Sequence, residues 1–178
     1  KILLNFTIKF CVENNLKLII PSKRDKKYDN KGYLDEINFF KKHIDKQYAS
    51  FFEKSLLAKN RDDYSSYKAV QNSDLVIGFS STLLKDKIGN NGKILSCNFT
   101  DYDFWNFPIN GICSLNKCSY NKFSERVYNI RKMSFKEYSQ QLSHEPGYVM
   151  TQYDHSNNSI NKLNKIIDKF INFHKDAN

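Results

Sequence analysis

The stretch SDLVIGFSSTLLKDKIGNNGKILSCN, residues 73–98, constrains the fold more than any other. Leu75–Ile77 is a continuous apolar run rather than an alternating one, as expected of a strand covered on both faces. STLLKDKIGNNGK then reads as a helix with Leu83, Leu84 and Ile88 turned inward, ended by Gly89 and Gly92. KILSCNF is a second strand. Two strands joined through a helix run parallel, because the chain must cross over before it restarts in the same direction.

The rest of the chain repeats this alternation. Ile2, Leu3, Phe6, Ile8 and Phe10 fall near helical spacing before a stop at Asn14 and Asn15. The chain opens inside this helix without an initiator Met, so preceding residues are expected. LKLIIP suits a short buried strand ended by Pro21, and the charged SKRDKKYDNKG is a loop. Leu34, Ile37, Phe40 and Ile44 mark an amphipathic helix with Lys41 and Lys42 outward. YASFFEKS is a weaker strand candidate, followed by a loop and short helix with Tyr67 and Val70 inward. DYDFWNFPINGICSLNKCSYNKF is aromatic and rich in turn residues, and reads as an aromatic plug on the core rather than a closing loop. SFKEYSQQLS is a helix capped by Ser134 and broken at Pro146-Gly147. A terminal amphipathic helix places Ile160, Leu163, Ile167, Phe170 and Ile171 opposite Lys162, Lys165 and Lys169. The expected architecture is a single α/β domain over residues 1–178, a parallel sheet with helices on both faces.

A chain of 178 residues can bury roughly 70% of the surface its unfolded form exposes, and 14 Phe and 11 Tyr supply a dense core without disulfide or metal. The apolar runs fall far short of the roughly 20 residues that cross a bilayer. The four cysteines, Cys11, Cys97, Cys113 and Cys118, form no CxxC pair, so reduced and mostly buried thiols are expected. The formal charge of +9, from 28 Lys and Arg against 19 Asp and Glu, favours anionic partners. Its lysines are dispersed, which fits a solvated surface better than a nucleic-acid footprint. A cytoplasmic location follows, with peripheral contact to an anionic inner membrane face left open.

Ser80, Ser81 and Thr82 stand where the clearest strand passes into its helix. Ligands of open parallel sheets sit beyond the carboxyl ends of the strands, where helix starts carry free amides and partial positive charge. One hydroxyl there would serve as an N-cap alone; three in a row suit hydrogen bonds to a phosphate without a metal. Lys23 and Arg24, after the first strand, could neutralise phosphate or belong to a solvated loop. Asp86, one turn into the helix, could accept from a sugar or ribose hydroxyl, or pair with Lys85 and Lys87 at the surface. His43 and His174 fall near helix ends, and His144 and His155 flank Pro146-Gly147; none is assigned as a catalytic base.

NSDLVIGFSSTLLKDKIGNNGKILSCNF resembles the donor-phosphate segment of GT-B glycosyltransferases of bacterial surface-polysaccharide synthesis. The resemblance is close over Asn72–Thr100, and the order of elements from Lys1 to Lys175 is compatible with the carboxyl-terminal half of such an enzyme. It implies a Rossmann-like fold, a nucleotide-sugar donor held at Ser80, Ser81 and Thr82, and no metal cofactor. It also implies a glycan acceptor met through an amino-terminal half outside this chain, which would supply the catalytic base. Two departures stand out: Asp86 replaces the usual Glu, and Pro21-Ser22-Lys23-Arg24 replaces a His-Pro pair. An epimerase or polyol-phosphate transferase of the same fold, and a noncatalytic basic module for RNA or anionic membrane, remain as alternatives.

Overall fold

A computed structural model describes residues 1–60, 62–150, 163–164 and 166–168. Five strands and seven α-helices alternate over most of that length: α1 Ile2–Glu13, β1 Ile20–Asp25, α2 Asn30–His43, α3 Ala49–Ser55, β2 Leu56–Lys59 and α4 Ser65–Gln71. They continue as β3 Leu75–Gly78, α5 Thr82–Gly89, β4 Lys93–Asn98, β5 Ser114–Asn116, α6 Tyr120–Lys132 and α7 Phe135–Ser139. All pairings within the strands are parallel, but they form two sheets, β1-β2 and β3-β4-β5. The fold is thus α/β with helices flanking parallel sheets, compatible with a Rossmann-like arrangement.

The larger core collects Leu84 and Ile88 from α5, Ile94, Leu95 and Cys97 from β4, and Phe123, Val127 and Ile130 from α6. A smaller core holds Ile8, Ile44 and Phe52. Helix α1 serves both, seating Phe10 in the first and Ile8 in the second. Around the larger core, long polar side chains satisfy carbonyls that the ladder leaves over. Lys93 Nζ donates to the Ile130, Arg131 and Met133 carbonyls at 2.9, 3.2 and 2.8 Å, placing a cation at the carboxyl end of α6. Arg126 Nη1 reaches the carbonyls of Gly111, Ile112 and Ser114 at 3.0, 3.0 and 3.2 Å.

Several sequence expectations shift. The first strand runs through Pro21 to Asp25 rather than ending at the proline. Strand β1 pairs only with β2, so the missing proline amide is tolerated, and the register slips between Pro21 and Asp25. Across that slip the Ser22 hydroxyl accepts from the Lys59 amide at 2.8 Å. YASFFEKS is not a strand: a 3-10 turn over Lys46–Tyr48 leads into α3, and the strand is the LLAK that follows. Tyr48, Phe51, Phe52 and Ser55 recur at three- and four-residue spacing, which is a helical period. Tyr67 is exposed whereas Val70 is buried.

Helix α6 and strand β5 occupy the aromatic segment and its continuation. Phe123, Val127 and Ile130 form the buried stripe of α6, with Ser119 capping it through the Lys122 amide at 3.4 Å. The plug is correct for part of the segment, since Phe107, Ile109, Ile112 and Cys113 are buried; Tyr102, Phe104 and Trp105 face outward. Ser134 caps α7 in a full capping box with Glu137. Of the expected terminal helix, residues 163–164 and 166–168 are helical with Leu163, Ile166 and Ile167 exposed, and Ile160, Phe170 and Ile171 lie outside the described residues. No helix among the described residues is long and apolar enough to cross a membrane.

Candidate phosphate-binding turn

Strand β3 ends at Gly78, and the next three residues turn the chain into α5. Ser80 takes a left-handed conformation with φ +47°, and its side chain is exposed. Ser81 is the N-cap, extended at φ −98° and ψ 138°, and its Oγ accepts from the Leu83 amide at 3.3 Å. The Leu84 amide reaches back to the Ser81 carbonyl at 3.1 Å. Thr82 is the first helical residue and is exposed. Ser81 therefore does the capping, while Ser80 and Thr82 keep their hydroxyls at the surface. A hydroxyl that accepts one bond retains its own proton to donate, so Ser81 can still contribute to an anion.

Asp86 lies four residues after Thr82, and positions so spaced share one face of a helix. Neither neighbouring lysine forms an ion pair with it among the described residues. The expected pairing with Lys87 is replaced by a different use of that side chain: Lys87 is buried and donates from Nζ to the Gln71 carbonyl at 3.1 Å. Burial holds the Asp86 carboxyl above its usual range and the Lys87 ammonium below its own. A carboxylate pushed upward by desolvation opposes folding while charged and not while neutral. Asp86→Asn is accordingly expected to leave stability unchanged or slightly raised at neutral pH, within the roughly 0.5 kcal/mol typical of surface changes. Any gain should vanish as the pH falls below about 4, where the wild-type group is also neutral. Urea unfolding of both forms at the two pH values checks this.

Lys23 and Arg24 lie on β1, in the two-stranded sheet, whereas the serine turn follows β3 in the other. Their amides donate to the two Glu36 carboxylate oxygens at 2.9 and 3.1 Å, and the Arg24 guanidinium stands 3.4 Å from Asp29. Arg24 is thus already matched with a carboxylate. Sequence reasoning overlooked a cleft of ≈ 550 Å³ beyond the carboxyl ends of β1 and β2, lined by Lys26, Lys27, Asn30, Lys59, Asn60 and Asp62 among others. Lys27 there is held by Asp62 at 2.9 Å. The alternation of elements gives no hint of it, because the strands expected at LKLIIP and YASFFEKS both lie earlier in the sequence than the strands whose ends border it.

The histidines that fall within the described residues have structural company. His43 Nδ1 lies 2.7 Å from the Phe39 carbonyl, and His144 stacks on Tyr148 with ring centroids 4.4 Å apart. His155 and His174 lie outside the described residues. All four cysteines are free thiols, with Cys97 and Cys113 pushed up to about 12 by burial, so they are poor nucleophiles. The described residues contain no cluster of three or more His, Cys, Asp and Glu side chains suited to a metal.

Residues 1–169 match a protein family described as "putative O-antigen biosynthesis protein". The chain belongs to that family. No curated protein and no solved structure matches it. Membership in an O-antigen biosynthesis family agrees with the surface-polysaccharide setting expected from the segment around the serine turn.

Proposed function

We propose that this member of the O-antigen family is the donor-binding part of an enzyme that moves a sugar from a nucleotide-sugar to a surface glycan. Ser80, Ser81, Thr82 and the start of α5 hold the donor phosphate in this reading. The observation that carries it is the turn itself. Exposed hydroxyls on Ser80 and Thr82 flank a capping Ser81 at the carboxyl end of a parallel strand, where a helix start contributes partial positive charge.

The chemical contribution of such a turn is electrostatic. As the glycosidic bond to the donor breaks, negative charge grows on the departing phosphate, and pre-oriented donors stabilise it without rearranging. Asp86, on the Thr82 face of the same helix, accepts from a hydroxyl of the donor in this reading. A base that deprotonates the acceptor is not among these residues.

Thermal unfolding with CMP, CDP and UDP tests the reading. Free nucleotide at ten times its Kd stabilises by ~1.4 kcal/mol, which amounts to roughly 3 to 6 °C for a chain of this size. The double variant Ser80→Ala, Ser81→Ala should lose that increment, measured against its own ligand-free midpoint because loss of the cap alone costs about 0.5 to 2 kcal/mol. A wild-type midpoint unmoved by all three nucleotides at millimolar concentration would refute the assignment.

A further inference from the structure

Three aromatic rings on the loop after β4 and one on the turn after β3 pack on one another at the surface. Phe79, which precedes Ser80, meets Trp105 with centroids 6.0 Å apart; Trp105 meets Phe104 at 4.7 Å, and Phe104 meets Tyr102 at 5.7 Å. Their exposures are 39, 42, 73 and 62%, in contrast to Phe107 and Ile109 a few residues on, which are buried. The display is built. Asn98, buried at the end of β4, donates from Nδ2 to the Tyr102 carbonyl at 3.0 Å and to Asn106 Oδ1 at 2.7 Å. Its Oδ1 accepts from the Thr100 amide and hydroxyl at 2.8 and 2.7 Å. One buried amide side chain therefore fixes both ends of the loop that presents the rings.

Charge narrows the partner. In a chain with 28 Lys and Arg, residues 94–116 contain none, while Asp101 and Asp103 flank the rings. Lys117 forms an ion pair with Asp101 at 2.6 Å, and the Asp103 carboxylate accepts a 3.3 Å bond from Asn106 Nδ2. Residues 94–116 therefore offer no cation of their own to an anionic membrane or a phosphorylated ligand. A nucleotide base would gain little enclosure, because sites for small ligands bury most of the ligand and these rings stand open. Aromatic faces with a carboxylate beside them suit a neutral, hydroxyl-rich ring: its C–H face packs on the π-systems and its hydroxyls donate to the acid.

We propose that Phe79, Tyr102, Phe104 and Trp105 form an open docking platform for neutral sugar residues of a glycan chain, adjoining the serine turn. Assigning that glycan as the acceptor rests on the sugar-transfer reading; the binding itself does not. The acceptor, expected from sequence to be met elsewhere, would then touch this chain directly, with Asp103 accepting from a sugar hydroxyl.

Trp105 is the sole tryptophan of the chain, so tryptophan-selective emission reports on this patch alone. The probes are short oligosaccharides of neutral hexose, deoxyhexose and N-acetylhexosamine units, phosphatidylglycerol vesicles, and UDP. A saturable emission change with at least one oligosaccharide is expected, weakened roughly fivefold or more by Phe104→Ala, which removes one exposed stacking partner and leaves the probe in place. Asp103→Asn, which keeps every ring, should weaken it as well and guards against a folding defect in the first variant. No response to any oligosaccharide, or a response confined to vesicles or UDP, overturns the platform. Saccharide binding without a nucleotide shift in melting would keep the platform and discard the donor site; the converse would do the opposite.

Discussion

Gly111→Ala is expected to destabilise the protein by on the order of 3 kcal/mol, lowering its unfolding midpoint by roughly 6 to 12 °C. Gly111 sits at φ +98°, in backbone space that L-residues rarely adopt, and a Cβ built on it would lie 2.1 Å from the Gln141 carbonyl oxygen. The obstruction is backbone, held by the Ile112 amide donating to that same oxygen at 3.1 Å and by the Gly111–Leu142 bridge. It cannot swing aside as a side chain would. The Gly111 carbonyl is also one of the three that Arg126 gathers. A methyl group therefore disturbs the approach to β5 and, through β4, the Asn98 anchor of the aromatic loop. Gly147, where a Cβ would meet nothing within 4 Å, supplies the comparison: Gly147→Ala should melt with the wild type by circular dichroism. A Gly111→Ala midpoint within about 2 °C of wild type would mean that the Gln141 turn yields more readily than its hydrogen bonds suggest.

What could be read from sequence follows from how much each element depends on its own residues. Strand β3, helix α5 and strand β4 were legible because an unbroken apolar run, an inward stripe of Leu84 and Ile88, and the glycines at 89 and 92 all specify one conformation. The capping role of Ser81 and Ser134 was equally local. The β1-β2 pair was misplaced because its limits depend on distant partners: Lys59 meets the Ser22 hydroxyl across a register slip that no run of residues announces. Strand β5 is only three residues long and exists because β4 offers it an edge. Helix α6 did carry a readable stripe, at Phe123, Val127 and Ile130, and was hidden by the aromatic residues that lead into it. At the site, the order of the serines was visible, but the left-handed turn at Ser80 and the fate of Lys87 were not. Lys87 is drawn inward by the Gln71 carbonyl, sixteen positions away, and passes so close to Gly92 that a Cβ there would lie 2.3 Å from its Cε. The surface aromatics were recognised as a group, yet only Asn98 and the folded path of the chain decide which rings are core and which are displayed.

The Tyr138 hydroxyl shows how strongly a single group can act when the sheet runs out of strand. Along β4, Ile94, Ser96 and Asn98 turn their peptide groups away from β3. Ser96 and Asn98 find β5 and its flanks: the Ser96 amide donates to the Cys113 carbonyl at 2.7 Å, and the Asn98 carbonyl accepts from Lys117 at 2.9 Å. Strand β5 begins only opposite Ser96, so Ile94 has no strand partner on that side. Tyr138, fully buried from α7, fills the place, accepting from the Ile94 amide at 3.1 Å and donating to its carbonyl at 2.8 Å. Tyr138→Phe keeps the ring and strands both groups in the core, at an expected loss of roughly 2 to 4 kcal/mol. Hydrogen exchange at the Ile94 amide should accelerate well beyond that at Ser96, separating loss of this bond from general loosening. The pH dependence gives an independent sign. Burial holds the Tyr138 phenol far above its ordinary range, so the wild type loses stability once the pH passes about 10, where the unfolded chain begins to ionise and the folded one does not. Tyr138→Phe removes that contribution, and the gap between the two proteins should narrow as the pH rises above 10. A gap of constant size across that range would mean that the phenol ionises as readily in the folded protein as in the unfolded chain, against the burial of its hydroxyl.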